Sequence, residues 1–357
     1  MSSPEQSSAR ASGADRGPVL VTGGTGFLGS TLVPLLAAEG HRLRLLQRSG
    51  APDAERLGAE VVRASLADGA AIDSALRGVD AVFHLAGQVD FDPADPGALY
   101  ELHVQGTRRL LEACAQAGVK RVVLASSSGT IAVSRSERIA TEADDHPIDV
   151  VAGWPYYLSK IYQEKTALRI HRDTGLPVVV LNPSLLLGPG DARLSSTDVV
   201  FKFLERRIPA MPSGGLSFVD VRDAARAFAA ALARGRPGER YLLGGANMAF
   251  RDFFARLERL TGVAAPRVAL PRELNVAGAR LLERFHAWRG TEAPLDVRST
   301  EMGEHFWYCD STKAQAELGF TARDPQETLF DTVRWLEANV RARPPRTVAE
   351  LGVPRPS

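Results

Sequence analysis

The stretch Val19-Leu20-Val21-Thr22-Gly23-Gly24-Thr25-Gly26-Phe27-Leu28-Gly29 decides the fold of this chain. Its first four residues read as a short buried strand, which runs directly into spaced glycines and then into a helical pattern. A phosphate-bearing ligand at such a place needs backbone N–H groups aimed at it from a helix N-terminus, and a loop without side chains so that the backbone can approach. Gly23 and Gly26 serve those ends, and Gly29 lets the helix pack closely on the strand. Pro34 falls inside the expected helix and removes a backbone hydrogen bond, which predicts a kink or early distortion there.

Outward from this loop, short runs rich in Val and Leu recur at Leu43–Gln47, Ala81–Ala86, Arg121–Ser126 and Val178–Leu181, with a weaker one at Val61–Ala64. Each is too short for a buried helix and is separated from the next by a helical pattern, the signature of successive βαβ units. The expected class is α/β: a Rossmann-type doubly wound parallel sheet with a smaller C-terminal lobe. Residues 1–17, rich in Ser, Ala and Gly, read as a disordered tail, and residues 18–182 as the nucleotide domain. Residues 183–342 read mainly as a substrate lobe, with 216–245 returning to the nucleotide domain, helices near Phe250–Thr261 and Thr328–Val340, and a loosely ordered tail at 343–357.

The 357 residues exceed what one core usually supports, consistent with two lobes. The 43 basic and 42 acidic side chains nearly cancel, which removes the electrostatic reason to expect nucleic acid or an acidic membrane surface as partner. Cys114 and Cys309 are too few and too far apart for a disulfide framework or a metal site, and the seven histidines lack ligand spacing, so no metal is expected. No run approaches the ~20 apolar residues of a membrane span, and a cytoplasmic location fits best.

The second strand ends in Gln47-Arg48-Ser49, without the carboxylate that usually binds a ribose 2′-OH; Arg48 suits a 2′-phosphate, favouring NADP(H), with NAD(H) possible. The fourth strong run ends in Ser126-Ser127-Ser128-Gly129, and about thirty residues on comes Tyr156-Tyr157-Leu158-Ser159-Lys160. Tyr156 and Lys160, four apart, share one helix face. A phenol with a pKa near ~10 is a poor acid or base at neutral pH, and a neighbouring ammonium, with a positive nicotinamide, is expected to lower it. Tyr156 could then exchange a proton with a carbonyl oxygen that a serine hydroxyl holds.

With these residues the chain resembles the extended short-chain dehydrogenase/reductases, whose marks are T-G-x-x-G-x-x-G (Thr22 to Gly29) and Y-x-x-x-K (Tyr156 to Lys160). Within that family it is most similar to the dihydroflavonol reductase-like branch and to sugar epimerase-like proteins associated with hopanoid gene sets. The carrying stretches are Val82-Phe83-His84-Leu85-Ala86-Gly87, Gly106-Thr107, Asn182-Pro183-Ser184, Phe218-Val219-Asp220-Val221-Arg222-Asp223 and Asp310-Ser311-Thr312-Lys313. The resemblance implies that Gly23, Thr25, Gly26, Phe27 and Leu28 cradle the pyrophosphate and that Arg48 takes the 2′-phosphate. It implies that Leu85, Ala86 and Gly87 line the adenosine and ribose, that Pro183 and Ser184 line the nicotinamide, and that Lys160 binds the cofactor too. The catalytic serine falls on Ser127, with Ser128 its rival. Three departures stand out: Ser65-Leu66 replaces the acid-leucine pair that touches adenine, His103 replaces an Asn that supports the lysine, and Asn182 replaces the arginine common in sugar-nucleotide enzymes.

The expected function is reduction of a ketone or aldehyde of a small or medium, fairly apolar molecule. Alternatives are a sugar-nucleotide epimerase or dehydratase, and a non-catalytic cofactor sensor. Trp154, Tyr157, Met211 and Phe218 are candidate pocket residues, Phe91 with the stretch Asp90–Pro96 a candidate lid, and His84 a core histidine. The resemblance also allows a homodimer formed through the helices flanking the sheet.

Overall fold

The computed structural model describes residues 17–91, 93–291 and 297–341. The first half runs β1 (Val19–Thr22), α1 (Phe27–Ala38), β2 (Leu43–Gln47), α2 (Pro52–Arg56), β3 (Glu60–Arg63), α3 (Gly69–Ala75), β4 (Ala81–His84), α4 (Pro96–Tyr100), α5 (Gly106–Gln116), β5 (Arg121–Ala125), α6 (Ile148–Val151), α7 (Pro155–Thr174) and β6 (Val178–Pro183). It continues with β7 (Leu185–Leu187), α8 (Asp198–Leu204), β8 (Gly215–Asp220), α9 (Val221–Arg234), β9 (Arg240–Leu243), β10 (Ala246–Ala249), α10 (Phe250–Thr261), α11 (Arg272–Arg289), α12 (Val297–Gly303), α13 (Thr312–Leu318) and α14 (Pro325–Leu336).

Seven strands form one parallel sheet in the order β3-β2-β1-β4-β5-β6-β9. Alternation along each strand feeds two cores. Val19, Val21, Leu45 and Phe83 pack beneath α1 and α9 on one face. Leu20, Leu46, Val82, Val122 and Leu124 pack beneath α3, α5 and α7 on the other. Helices on both faces explain why these strands read as continuous apolar runs. The strand order reverses between β1 and β4, and the crevice beyond the carboxyl ends there is where such sheets take ligands. A second sheet, β10-β8-β7, carries a separate core of Phe203, Phe218, Phe250, Phe253 and Phe254.

Two expectations need correction. Of the segment 216–245, α9 packs on α1 and β9 extends the main sheet, but β8 pairs with β7 and β10 instead. All six residues of β8 are buried, so it is a core strand of the smaller sheet. Helix α1 runs unbroken through Pro34. Pro34 and Ser30, whose carbonyl loses its partner, are both exposed, which leaves that group open to solvent. The expected tails, 1–17 and 343–357, lie outside the described residues except for Gly17, whose backbone N donates to Asp80 Oδ2 at 2.6 Å.

Candidate active site

The loop after β1 is shaped by close contacts. Gly23 has φ +71°, and a Cβ there would lie 2.7 Å from Leu85 C and Ala86 N. A Cβ on Gly29 would lie 2.7 Å from Gly24 Cα, so the helix reaches the loop only without a side chain. Gly24, to which the sequence gave no role, packs so tightly that a Cβ would stand 2.8 Å from Leu45 Cδ2. Gly26 is the N-cap of α1 and no side chain caps that first turn. The positive end of the α1 dipole therefore opens into the crevice, which suits a pyrophosphate.

One cavity of about 2050 Å³ is lined by Gly23, Thr25, Gly26, Phe27, Leu28, Arg48, Leu85, Gly87, Pro183 and Ser184, and equally by Ser127, Tyr156 and Lys160. Ser184 Oγ is buried without a hydrogen-bond partner among the described residues, the condition of a group awaiting a ligand. Together with the uncapped turn, it shows that these residues fit a dinucleotide. Arg48 stands exposed at the rim. The Arg63 guanidinium reaches the same corner, where a Cβ on Gly50 would lie 3.1 Å from its Nη2, and sequence reading missed it because it belongs to the next strand. Three expected residues do not reach the cavity wall. Ser65 Oγ accepts from Ala67 N in its own turn at 3.2 Å, Leu66 packs in the core, and Ala86 donates its N–H to Thr22 Oγ1 at 3.2 Å.

Pro155 at the start of α7 presets its first turn, which carries Tyr156. Ser127 and Tyr156 both line the cavity, while Ser126 Oγ donates to Glu164 Oε2 at 2.7 Å. Ser126 is thus engaged with Glu164, while Ser127 and its rival Ser128 both line the cavity. Burial pushes the Tyr156 phenol up to about 12, with the Ser127 contact pulling the other way. This is opposite to the expected lowering. The reason is geometric: Lys160 Nζ donates to Ala125 O at 2.7 Å and to Gln163 Oε1 at 2.6 Å. Burial brings Lys160 down to about 8, against the opposing charge of Glu164.

Where the resemblance places Asn, His103 sits on a π-helical turn, Glu101–Gln105, a distortion often found at functional sites. Gln88 N donates to His103 Nε2 at 3.0 Å, so the ring proton is on Nδ1, which faces Ser159 Oγ at 2.8 Å. The Ser159 hydroxyl donates in turn to Tyr156 O at 2.7 Å. The chain of bonds ties the loop after β4 to the turn bearing the phenol. Burial, then the charges of Lys160 and His84, hold His103 down to about 2; burial and Lys160 hold His84 down to about 3. His84 bonds Thr22 Oγ1 at 2.7 Å and Thr107 Oγ1 at 2.8 Å, as a core histidine. Asn182, in place of the arginine, donates to Thr130 Oγ1 and Glu164 Oε2, each at 3.0 Å, and braces β6. No group of three or more metal-ligating side chains occurs among the described residues.

The opposite wall is aromatic. Phe91 meets Tyr156 edge-on at 5.4 Å and stacks on Tyr157 at 5.9 Å, and Trp307 lies 5.0 Å from Tyr157. A Cβ on Gly129 would strike the Tyr157 ring. Of the four pocket candidates only Tyr157 lines the cavity; Trp154, Met211 and Phe218 pack behind it. Trp307, Met302 and Leu194 were missed, since nothing local marks them. Leu194, with φ +54°, is held by the loop that Asp191 organises through bonds from Ser195, Ser196 and Thr197 N–H groups.

The sequence profile of the NAD dependent epimerase/dehydratase family matches residues 19–244. A Synechocystis protein provisionally named a dihydroflavonol 4-reductase is 33% identical over 324 residues, covering 89% of this chain and 94% of that one. Sterol demethylase protein B of Methylococcus capsulatus is 32% identical over 322 residues, covering 88% of this chain and 97% of its own. Among solved structures, that of gox2253 superposes with a TM-score of 0.78 at 32% identity, over 92% of this chain and 100% of the other. The chain belongs to the NAD-dependent epimerase/dehydratase family, a family of nicotinamide-dependent oxidoreductases, epimerases and dehydratases. No described helix is long and apolar enough to cross a membrane.

Proposed function

We propose that this member of the family is an NADP(H)-dependent reductase of ketones or aldehydes, with Tyr156 as the proton donor. The observation that carries this is that Ser127, Tyr156 and Lys160 line one cavity together, beside the aromatic surface of Phe91, Tyr157 and Trp307. A phenol held near 12 is protonated at neutral pH, the form needed to give a proton to a carbonyl oxygen. Ser127 Oγ would hold that oxygen in place. Lys160, its ammonium held by Ala125 O and Gln163 Oε1, would fix the ribose of the cofactor. When bound, the nicotinamide supplies the hydride. Arg48 stands at the corner after β2, and Arg63, whose Nη2 lies 4.0 Å from Glu55 Oε1, reaches the neighbouring Gly50; Arg48 is the cation offered to a 2′-phosphate, favouring NADP(H) over NAD(H).

Gly23, Thr25, Gly26, Phe27 and Leu28 would cradle the pyrophosphate, Leu85 and Gly87 the ribose side, and Pro183 and Ser184 the nicotinamide. A fairly apolar substrate is supported by the aromatic wall and by relatives named for a dihydroflavonol and a sterol. Asn182, engaged with Glu164, offers no cation to a sugar diphosphate. The two cysteines are buried free thiols, in keeping with a cytoplasmic location. Exposed Tyr100 and Tyr162 on the outer faces of α4 and α7 are where a homodimer would form.

The test follows NADPH and NADH absorbance over a panel of aryl, alicyclic and steroidal carbonyl compounds. The expected result is NADPH consumed in step with alcohol formed. Conversion of nucleotide sugars without net cofactor turnover would overturn the reading in favour of an epimerase. Intact cofactor binding with no turnover of either class would point to a sensor.

A further inference from the structure

Helix α11 presents one face to the cavity and an apolar stripe on the adjoining outer face. Asn275, Ala279 and Leu282 line the cavity. Leu274, Leu281, Phe285 and Trp288 point away from the protein, 59%, 71%, 46% and 82% exposed. At 3.6 residues per turn these four fall within an arc of about 60°. Upstream, Val268 and Leu270 are both exposed and part of the cavity wall, so the stripe is continuous with the cavity rim. Scattered exposed apolar residues are ordinary, but six large ones between 268 and 288 form a patch, and such patches mark a contact.

The chemistry at the edges of the stripe selects the partner. Arg284 flanks it on one side and Arg289 on the other, with Arg280 further round and paired to Glu301 at 3.0 Å, and the helix carries four arginines against two glutamates. Arg289 lies over the Phe285 ring at 5.6 Å. Aromatic rings and leucines edged by guanidinium groups match the boundary between acyl chains and anionic headgroups. A second copy would set these same arginines against one another across a two-fold axis. The near-neutral charge of the whole chain conceals this local excess, which acts by position. A bilayer seated on the stripe would also adjoin the cavity rim, where an apolar molecule could pass along α11 from lipid to the aromatic wall.

We propose that α11 docks the protein on an anionic lipid bilayer and that its substrates are carbonyl compounds dissolved in that bilayer. The substrate half rests on the reductase reading; the docking half does not. The test is flotation of the full chain with vesicles of phosphatidylcholine alone and with phosphatidylglycerol added. The expected result is binding to the anionic vesicles that weakens in high salt, with a blue shift of tryptophan emission that Trp288→Phe abolishes. A Leu281→Ser, Phe285→Ser, Trp288→Ser variant should lose more than about tenfold in binding. Because all three side chains are exposed, its NADPH affinity and melting temperature should match the parent. The proposal is overturned if the chain floats with neither vesicle, if the triple variant floats like the parent, or if the triple substitution instead dissociates a dimer. Vesicle binding without carbonyl reduction would sink the reductase reading and leave docking standing; reduction without vesicle binding would do the reverse.

Discussion

The two walls of the cavity are built differently. On the nucleotide side, polar groups are buried and joined: Lys160 to Gln163, Gln163 to Thr107, Thr107 to His84, and His103 through Ser159 to the Tyr156 backbone. On the facing side, Phe91, Tyr157 and Trp307 meet ring to ring, and Ala279 and Leu282 of α11 line the same cavity. Hydrogen bonds are directional and expensive to leave unmade when buried, so the first wall has one arrangement. Apolar contact is not directional, so the second tolerates exchange of side chains and suits substrate selection.

Removing the hydroxyl where the walls meet should have the largest effect. Tyr156→Phe is expected to lower kcat by roughly 10²–10⁴-fold with NADPH affinity unchanged, measured by steady-state kinetics and calorimetric titration. Unaltered kcat would show that the polar wall does not do the chemistry. At the rim, Arg48→Ala should weaken NADPH by roughly 10-fold to 100-fold and leave NADH nearly as before, the scale of a lost charge-assisted hydrogen bond. Equal loss for both cofactors would place Arg48 away from the 2′-phosphate.

Glycines sharpen the same contrast. Gly29→Ala drives a methyl into Gly24 and should cost about 1–3 kcal/mol in urea unfolding. Gly278→Ala, on α11 with nothing within 4 Å, should be neutral or stabilise by up to ~1 kcal/mol. Similar costs at both sites would erase the distinction between a close-packed wall and an open one.

Acid should also act on the polar wall. His84 and His103, held to about 3 and about 2, stay neutral in the fold at pH values where the unfolded chain, near ~6.5, takes up protons. The unfolded state then binds more protons, so stability falls as pH drops below ~6.5, by ~1.4 kcal/mol per unit for each imidazole. His103→Asn should make the decline shallower by about that amount per unit, read from urea midpoints between pH 6 and 4. An unchanged slope would mean that His103 is charged or exposed.

The strands β1, β2, β4, β5 and β6, helix α10, the glycine loop and the Tyr156/Lys160 pair were legible because each is contiguous or set by a short period. The place of Arg48 at the cavity rim was legible too, since it follows directly from the end of β2. Less legible were the pairing of β8 in a second sheet, the burial of Ser126 on Glu164, the turning of Lys160 toward Gln163, and the upward push on the phenol. The sequence by itself determined the alternation of strand and helix, the glycine loop at the N-terminus of α1 and the spacing that puts Tyr156 and Lys160 on one helix, since local spacing and side-chain chemistry are written along the chain. Tertiary structure alone decided that Ser126 is engaged with Glu164, that Trp307 stands 5.0 Å from Tyr157 across 150 residues of chain, and that α11 shows Trp288 to solvent. Those outcomes depend on how distant segments pack, and packing is a property of the assembled volume that no short window of sequence contains.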